Sequence, residues 1–158
     1  MELPIINHPD YVAKINDDNK FPIKKFGALA DYLLKEGVVK KFHRPEECSI
    51  ETMKTSHSLE YINHIKNKTL DIKAQKKIGF PINDSVVRRS FVATGGTVLA
   101  SKLALDSKLA CNTAGGSHHA TFDYGAGYCV FNDVAVAANY LKNRSYAKKI
   151  LIIDLDVH

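Results

Sequence analysis

The sequence predicts an α/β chain: three layers around a mainly parallel sheet. Three observations predict it. Short apolar runs rich in β-formers alternate with longer segments of helical periodicity. The last of those runs, Ile150 to Ile153, reads as a strand buried on both faces, as in parallel sheets. Two clusters of histidine and aspartate directly follow strand candidates, at the end where such sheets hold ligands. At 158 residues the chain has room for one domain with a sizeable core, and no linker or repeat divides residues 1–158.

Leu3 to Asn7 reads as a short strand closed by His8-Pro9-Asp10. Lys20-Phe21-Pro22 precedes a helix whose Phe26, Leu29, Ala30, Leu33 and Leu34 share a face, with Gly37 as its stop. Val38 to Phe42 reads as a second strand. Ser58 caps a helix carrying Leu59, Ile62 and Ile65, and residues 67–77 are helical or irregular. Asp84 or Ser85 caps the longest helix. Its buried stripe is Val86, Val87, Ser90, Phe91, Thr94, Val98 and Leu99. Gly95-Gly96 in mid-helix costs about 1 kcal/mol per glycine relative to alanine, which points to close packing against another backbone. Leu109 to Thr113 is a buried strand running into Ala114-Gly115-Gly116-Ser117-His118-His119-Ala120. Tyr128 to Phe131 leads into a helix with Val134, Ala137, Ala138 and Leu141 inward, and Lys149 to Asp154 is the closing strand.

Composition narrows the function classes. Hydrophobic content of 45% and charged content of 25% fit a soluble globular protein. No signal peptide or bilayer-length apolar stretch is visible, so no membrane partner is expected. Cys48, Cys111 and Cys129 are scattered and odd in number, which supports neither a disulfide framework nor a thiolate zinc site and points to a reducing cytoplasm. The net charge of +5 comes from separated basic pairs, a solvated surface rather than a nucleic-acid site.

The chemistry lies in two constellations. The first is the His118-His119 pair, reached through paired glycines at a strand end. The second is the ending Asp154-Leu155-Asp156-Val157-His158. Strand side chains alternate faces, so Asp154, Asp156 and His158 point the same way if the strand persists. Carboxylate and imidazole donors suit zinc and related divalent ions, and a catalytic zinc site needs three protein ligands and an open position.

With these residues in view, the sequence resembles the N-terminal half of the zinc-dependent histone deacetylase superfamily, of the arginase/deacetylase fold. The matching segments are GGSHHA (115–120), GYCVFND (127–133) and IIDLDVH (152–158). Weaker matches are KFPIKKF (20–26), HSLEYI (57–62) and VRRSFVATGGT (87–97). The run is most similar to the class IV branch and its bacterial relatives. The resemblance implies a metal-dependent amidohydrolase that removes acyl groups from acylated lysine. Asp156 and His158 become two of three ligands to zinc, with ferrous iron as the alternative. His119 becomes the general base, and His118 the second imidazole. Asp154 orients His118 and helps build a structural potassium site. Gly127 and Tyr128 line the acyl tunnel, while Cys129, Asn132 and Asp133 read as structural. The implied partners are an acyl-lysine protein or an acylated small amine.

The pattern also departs from the family. A third metal ligand, an aspartate, and a late oxyanion-stabilising tyrosine are absent, so the chain reads as a C-terminally truncated deacetylase domain with little or no catalysis of its own. The rivals are an acetylpolyamine amidohydrolase, a less fitting ureohydrolase of the arginase type, and a non-catalytic fragment that self-associates through an open sheet edge. His8, His43, His57 and His64 are not expected as ligands, and His57 reads as helix entry and packing. The mid-helix GGT at 95–97 is not a phosphate loop.

Overall fold

The computed structural model describes residues 3–158. Its sheet is a parallel pair, β1 (Ile5–Ile6) and β2 (Cys111–Asn112), in register Ile5 to Cys111 and Ile6 to Asn112. His43 adds a single parallel bridge to Ile6 on the other side of β1. Around the pair stand α1 (Lys25–Lys35), α2 (Ile50–Met53), α3 (Leu59–Lys66), α4 (Ile72–Ile78), α5 (Asp84–Ser107) and α6 (Asp133–Asn143). This is a partial α/β fold, and the three-layer sandwich around a broad sheet is not seen among the described residues.

Among the described residues, five of the six α-helices open on a side-chain cap, each satisfying a backbone N–H that the helix itself leaves free. The caps are Ser49, Ser58, Asp71, Asn83 and Asn132. Ser58 was expected. For α5, however, the cap is Asn83, one residue before the predicted pair, accepting from Val86 N at 2.9 Å. Residues 72–78 are helical, closed by Gly79 in the left-handed conformation.

Helix α5 is the hub, packing on both strands, on α6 and on the 3-10 turn at Pro9–Tyr11. Residues 89 to 96 are buried on every side, so the burial is wider than the predicted stripe and takes in Arg89 and Val92. Gly95 meets the backbone of the 46–48 segment: a Cβ there would lie 2.0 Å from the Glu46 carbonyl oxygen.

Two predicted strands are absent. Val38 to Phe42 does not pair, because Gly37 turns left-handed and the N–H groups of Val38 and Val39 both donate to Leu33 O, closing α1. Residues 149–158 have no ladder partner among the described residues. There the carboxylates take the donors instead: Asp154 accepts from Asp156 N at 3.0 Å and Asp156 from His158 N at 2.9 Å. Leu151, Ile153, Leu155 and Val157 stand exposed, Val157 at 93%. The expected open sheet edge is therefore an unpaired segment. The inward face of α6 is also rotated, with Val136 and Tyr140 buried beside Ala137, and Val134, Ala138 and Leu141 only partly covered.

His57 is 1% exposed and packs edge-on against Phe131. Its Nε2 accepts from Asn132 N at 2.9 Å, so the neutral ring carries its proton on Nδ1. Burial holds this imidazole below its ordinary value of 6.5, with the carbonyls of Thr121 and Phe122 opposing. The unfolded chain therefore gains a proton that the folded chain refuses. Stability is full above about pH 6.5 and falls as pH drops from there toward the lowered folded value. The urea-unfolding midpoint is expected to decline on acidification below pH 6.5, and less so in His57→Gln. An equal decline in both chains would exclude His57 as a source. His8, also lowered chiefly by burial, shares in it.

Candidate active site

The site forms beyond the carboxyl end of β2. Thr113 N still donates to Ile6 O, after which the chain leaves the sheet as the loop 114–119. This loop is held by Asp133, the first residue of α6. The Asp133 side chain accepts from Ser117 N at 2.8 Å and from Gly116 N at 3.1 Å, and takes the Thr97 hydroxyl from α5. Asn112 donates to Thr97 Oγ1 at 3.0 Å and accepts from the Tyr11 hydroxyl at 2.9 Å. A carboxylate only 1% exposed thus ties the histidine loop to two helices. The motif reading assigned Asp133 no more than a structural place. An acidic residue opening an apolar-faced helix, two residues after Phe131, was the available signal.

The two imidazoles face each other, with His118 Nε2 3.0 Å from His119 Nε2, and His118 Nδ1 lies 2.5 Å from Asp154 Oδ2. One proton is therefore shared between the rings, while the carboxylate fixes the His118 tautomer. Hydrogen bonds from Asp156 N and then His118 hold the Asp154 carboxyl below the usual carboxylate value. Asp156 is likewise lowered, by the backbone and then the ring of His158.

A cavity of about 420 Å³ is lined by His118, His119, Gly127, Tyr128, Asp156 and His158. Asp154 stands behind it through His118. Gly127 adopts φ +53°, and a Cβ there would come within 2.7 Å of His119 Cδ2, so only glycine leaves the ring its place. Tyr128 follows at φ +64°, its N–H on Ile78 O at 2.6 Å and its ring packed on Phe21 and Phe80. Phe21 and Phe26, from the KFPIKKF segment, complete an aromatic wall that the motif reading did not place at the site.

As a metal centre the residues are incomplete. Asp156 Oδ1 and His158 Nδ1 are 2.9 Å apart and bonded to each other. No group of three donors converges among the described residues. The donor types suit a divalent ion, but two are one short of a catalytic zinc set.

The loop after β2 and the 154–158 segment bring histidines and aspartates to one cavity, and the class to which the chain is homologous is the arginase/deacetylase superfamily. The histone deacetylase domain profile matches residues 20–158, and the chain belongs to that family. An uncharacterized protein of Picosynechococcus is 42% identical over 160 positions, which cover 100% of this chain and 53% of that protein. Histone deacetylase 2 of Arabidopsis thaliana is 29% identical, covering 87% of this chain and 38% of its own length. The acetoin utilization protein AcuC of Staphylococcus aureus is 26% identical, covering 92% and 40%. The crystal structure of an HDAC homolog from Aquifex aeolicus superposes with a TM-score of 0.77 at 24% identity, over 92% of this chain and 42% of that one, a likeness of fold. The chain thus spans about half the length of the curated relatives it matches, or less. No helix among the described residues is long and apolar enough to cross a membrane.

Proposed function

We propose that these residues supply the acid–base part of a metal-dependent amidohydrolase centre that removes acyl groups from lysine-like amines. The observation that carries it is the relay Asp154–His118–His119 on the wall of an aromatic-sided cavity. When bound, zinc or ferrous iron polarises an amide carbonyl and acidifies its water. Asp156 and His158 would hold it with at least one further donor. The chain's own part is proton handling. His119 takes a proton at Nε2 once its shared proton sits on His118, and Asp154 holds His118 at Nδ1 so that the pair stays aligned. Tyr128, Phe21 and Phe26 exclude water from an aliphatic stem. A potassium ion at Asp154 belongs to the same proposal, although both its oxygens are engaged within the chain.

With only two donors assembled, the 158-residue chain is expected to turn over acyl-lysine peptides barely, with zinc or iron added; robust turnover would remove that expectation. The activity itself is tested in a chimera that joins residues 1–158 to the remaining half of the Picosynechococcus relative. There His119→Ala is expected to lower kcat by about 10²–10⁴-fold with little change in KM. Unchanged turnover would remove His119 as the base. A panel of acetyl-lysine peptides and acetylated polyamines separates the two substrate classes. A second reading, association through the terminal segment, is favoured by its exposed apolar side chains. A clean monomer in light scattering would dismiss it.

A further inference from the structure

Arg89 is a buried cation that no anion pairs among the described residues. It is 7% exposed, and its Nε donates to Tyr11 O at 3.0 Å. The guanidinium lies 4.8 Å over the Phe26 ring. Its two terminal nitrogens have no protein acceptor among the described residues. The only fully buried side-chain polar atom lacking a partner there is His57 Nδ1, so the unpartnered Arg89 nitrogens are not fully buried, and Arg89 is one of the residues that line the cavity. The neighbouring Arg88 holds the acids Asp10 and Glu47. Asp133 is the carboxylate that Arg89 senses, but its oxygens are taken by Gly116, Ser117 and Thr97.

A buried guanidinium whose terminal nitrogens lack an acceptor is costly, and an anion placed against them offsets that cost. Burial, the chief cause, pulls the guanidinium down to about 10. Lys20 and Lys25 line the same cavity, whose only carboxylate among the described residues is Asp156. Among the described residues the cavity lining carries these three cations against one acid, a balance that attracts an anionic group.

We propose that Arg89 receives the carboxylate of an acyl chain that ends in one, so that the cavity accepts dicarboxylic monoacyl amides of the succinyl or glutaryl kind. Placing that carboxylate on the acyl part rests on the amide-hydrolase reading; a carboxylate site at Arg89 does not. The planar guanidinium offers two parallel N–H donors, the geometry a carboxylate accepts.

The test is binding of N-butylsuccinamate, N-butylacetamide and free acetate to the 158-residue chain, by calorimetry and by the Arg89 Nε–Hε resonance. The succinamate is expected to bind at least ten-fold tighter than the acetamide and to shift that resonance, and the preference is expected to vanish in Arg89→Gln. Equal affinities, or a preference that survives Arg89→Gln, would overturn the proposal. Since that substitution also removes packing on Phe26, the resonance in the unmodified chain decides independently, and no shift with succinamate overturns it. A shift with acetate but not succinamate places a free carboxylate there and overturns the acyl assignment. Tight succinamate binding without hydrolysis by the chimera upholds the carboxylate site and removes the hydrolase reading instead.

Discussion

Asp133→Ala is expected to cost about 2–4 kcal/mol of stability and to release the histidine loop. The substitution leaves the N–H groups of Gly116 and Ser117 and the Thr97 hydroxyl without their acceptor. A lost partner on a charge-assisted bond is worth about 1.5–3 kcal/mol, and water can reach part of the loop. The two expectations separate in measurement. Urea unfolding reads the stability, and the imidazole ring-nitrogen signals of His118 and His119 read the geometry. Asp133→Asn keeps one acceptor oxygen and is expected to fall between. If the alanine chain unfolds like its parent and keeps both ring signals, Asp133 does not hold the loop.

Gly95→Ala is expected to be still more damaging, by about 3 kcal/mol or more. The new Cβ would stand 2.0 Å from Glu46 O and 3.1 Å from Cys48 N. Cys48 N is fixed to Phe91 O of the same helix at 3.0 Å, so the segment cannot move away without breaking that bond. Overpacking of this kind costs about 1–3 kcal/mol against side chains, and more against backbone. Gly27→Ala serves as the comparison, since its Cβ would meet only Val12 Cγ2, at 3.3 Å. There the gain in helix propensity, about 1 kcal/mol, offsets the tight contact. Equal unfolding midpoints for the two variants would contradict the close crossing at Gly95.

What the sequence displays is local. Ser58 announces a helix start, Gly95-Gly96 announces a close approach, and the apolar runs at 3–7 and 109–113 contain the two strands. What it hides depends on partners far along the chain. Asp133 reads only as structural, with no partner named for it, and the predicted α6 face misses Val136 and Tyr140. Once its carboxylate is bound by the 114–117 loop, the helix must turn that edge inward. Arg89 is hidden for the same reason, as a charge within an otherwise apolar stretch. The closing strand fails because a strand is a property of two segments. With none beside it among the described residues, the aspartates satisfy the backbone locally. The three motifs place the histidines, Gly127, Tyr128, Asp156 and His158 in one segment order, but nothing in them told of the aromatic wall from residues 21–26.

The parallel pair spans most of the chain: Asn7 reaches Thr113, 106 positions later, with the β1–β2 pairing beside it. Closing a loop of that length costs about 4 kcal/mol of chain entropy before any sheet contact offsets it. During synthesis at about 5–20 residues per second, Ile5 and Ile6 wait on the order of ten seconds for Cys111 to be made. Helices α1 to α5 are complete before then. Strand β1 thus precedes its partner by that interval, and through it Ile5 and Ile6 are without the pairing that seats them.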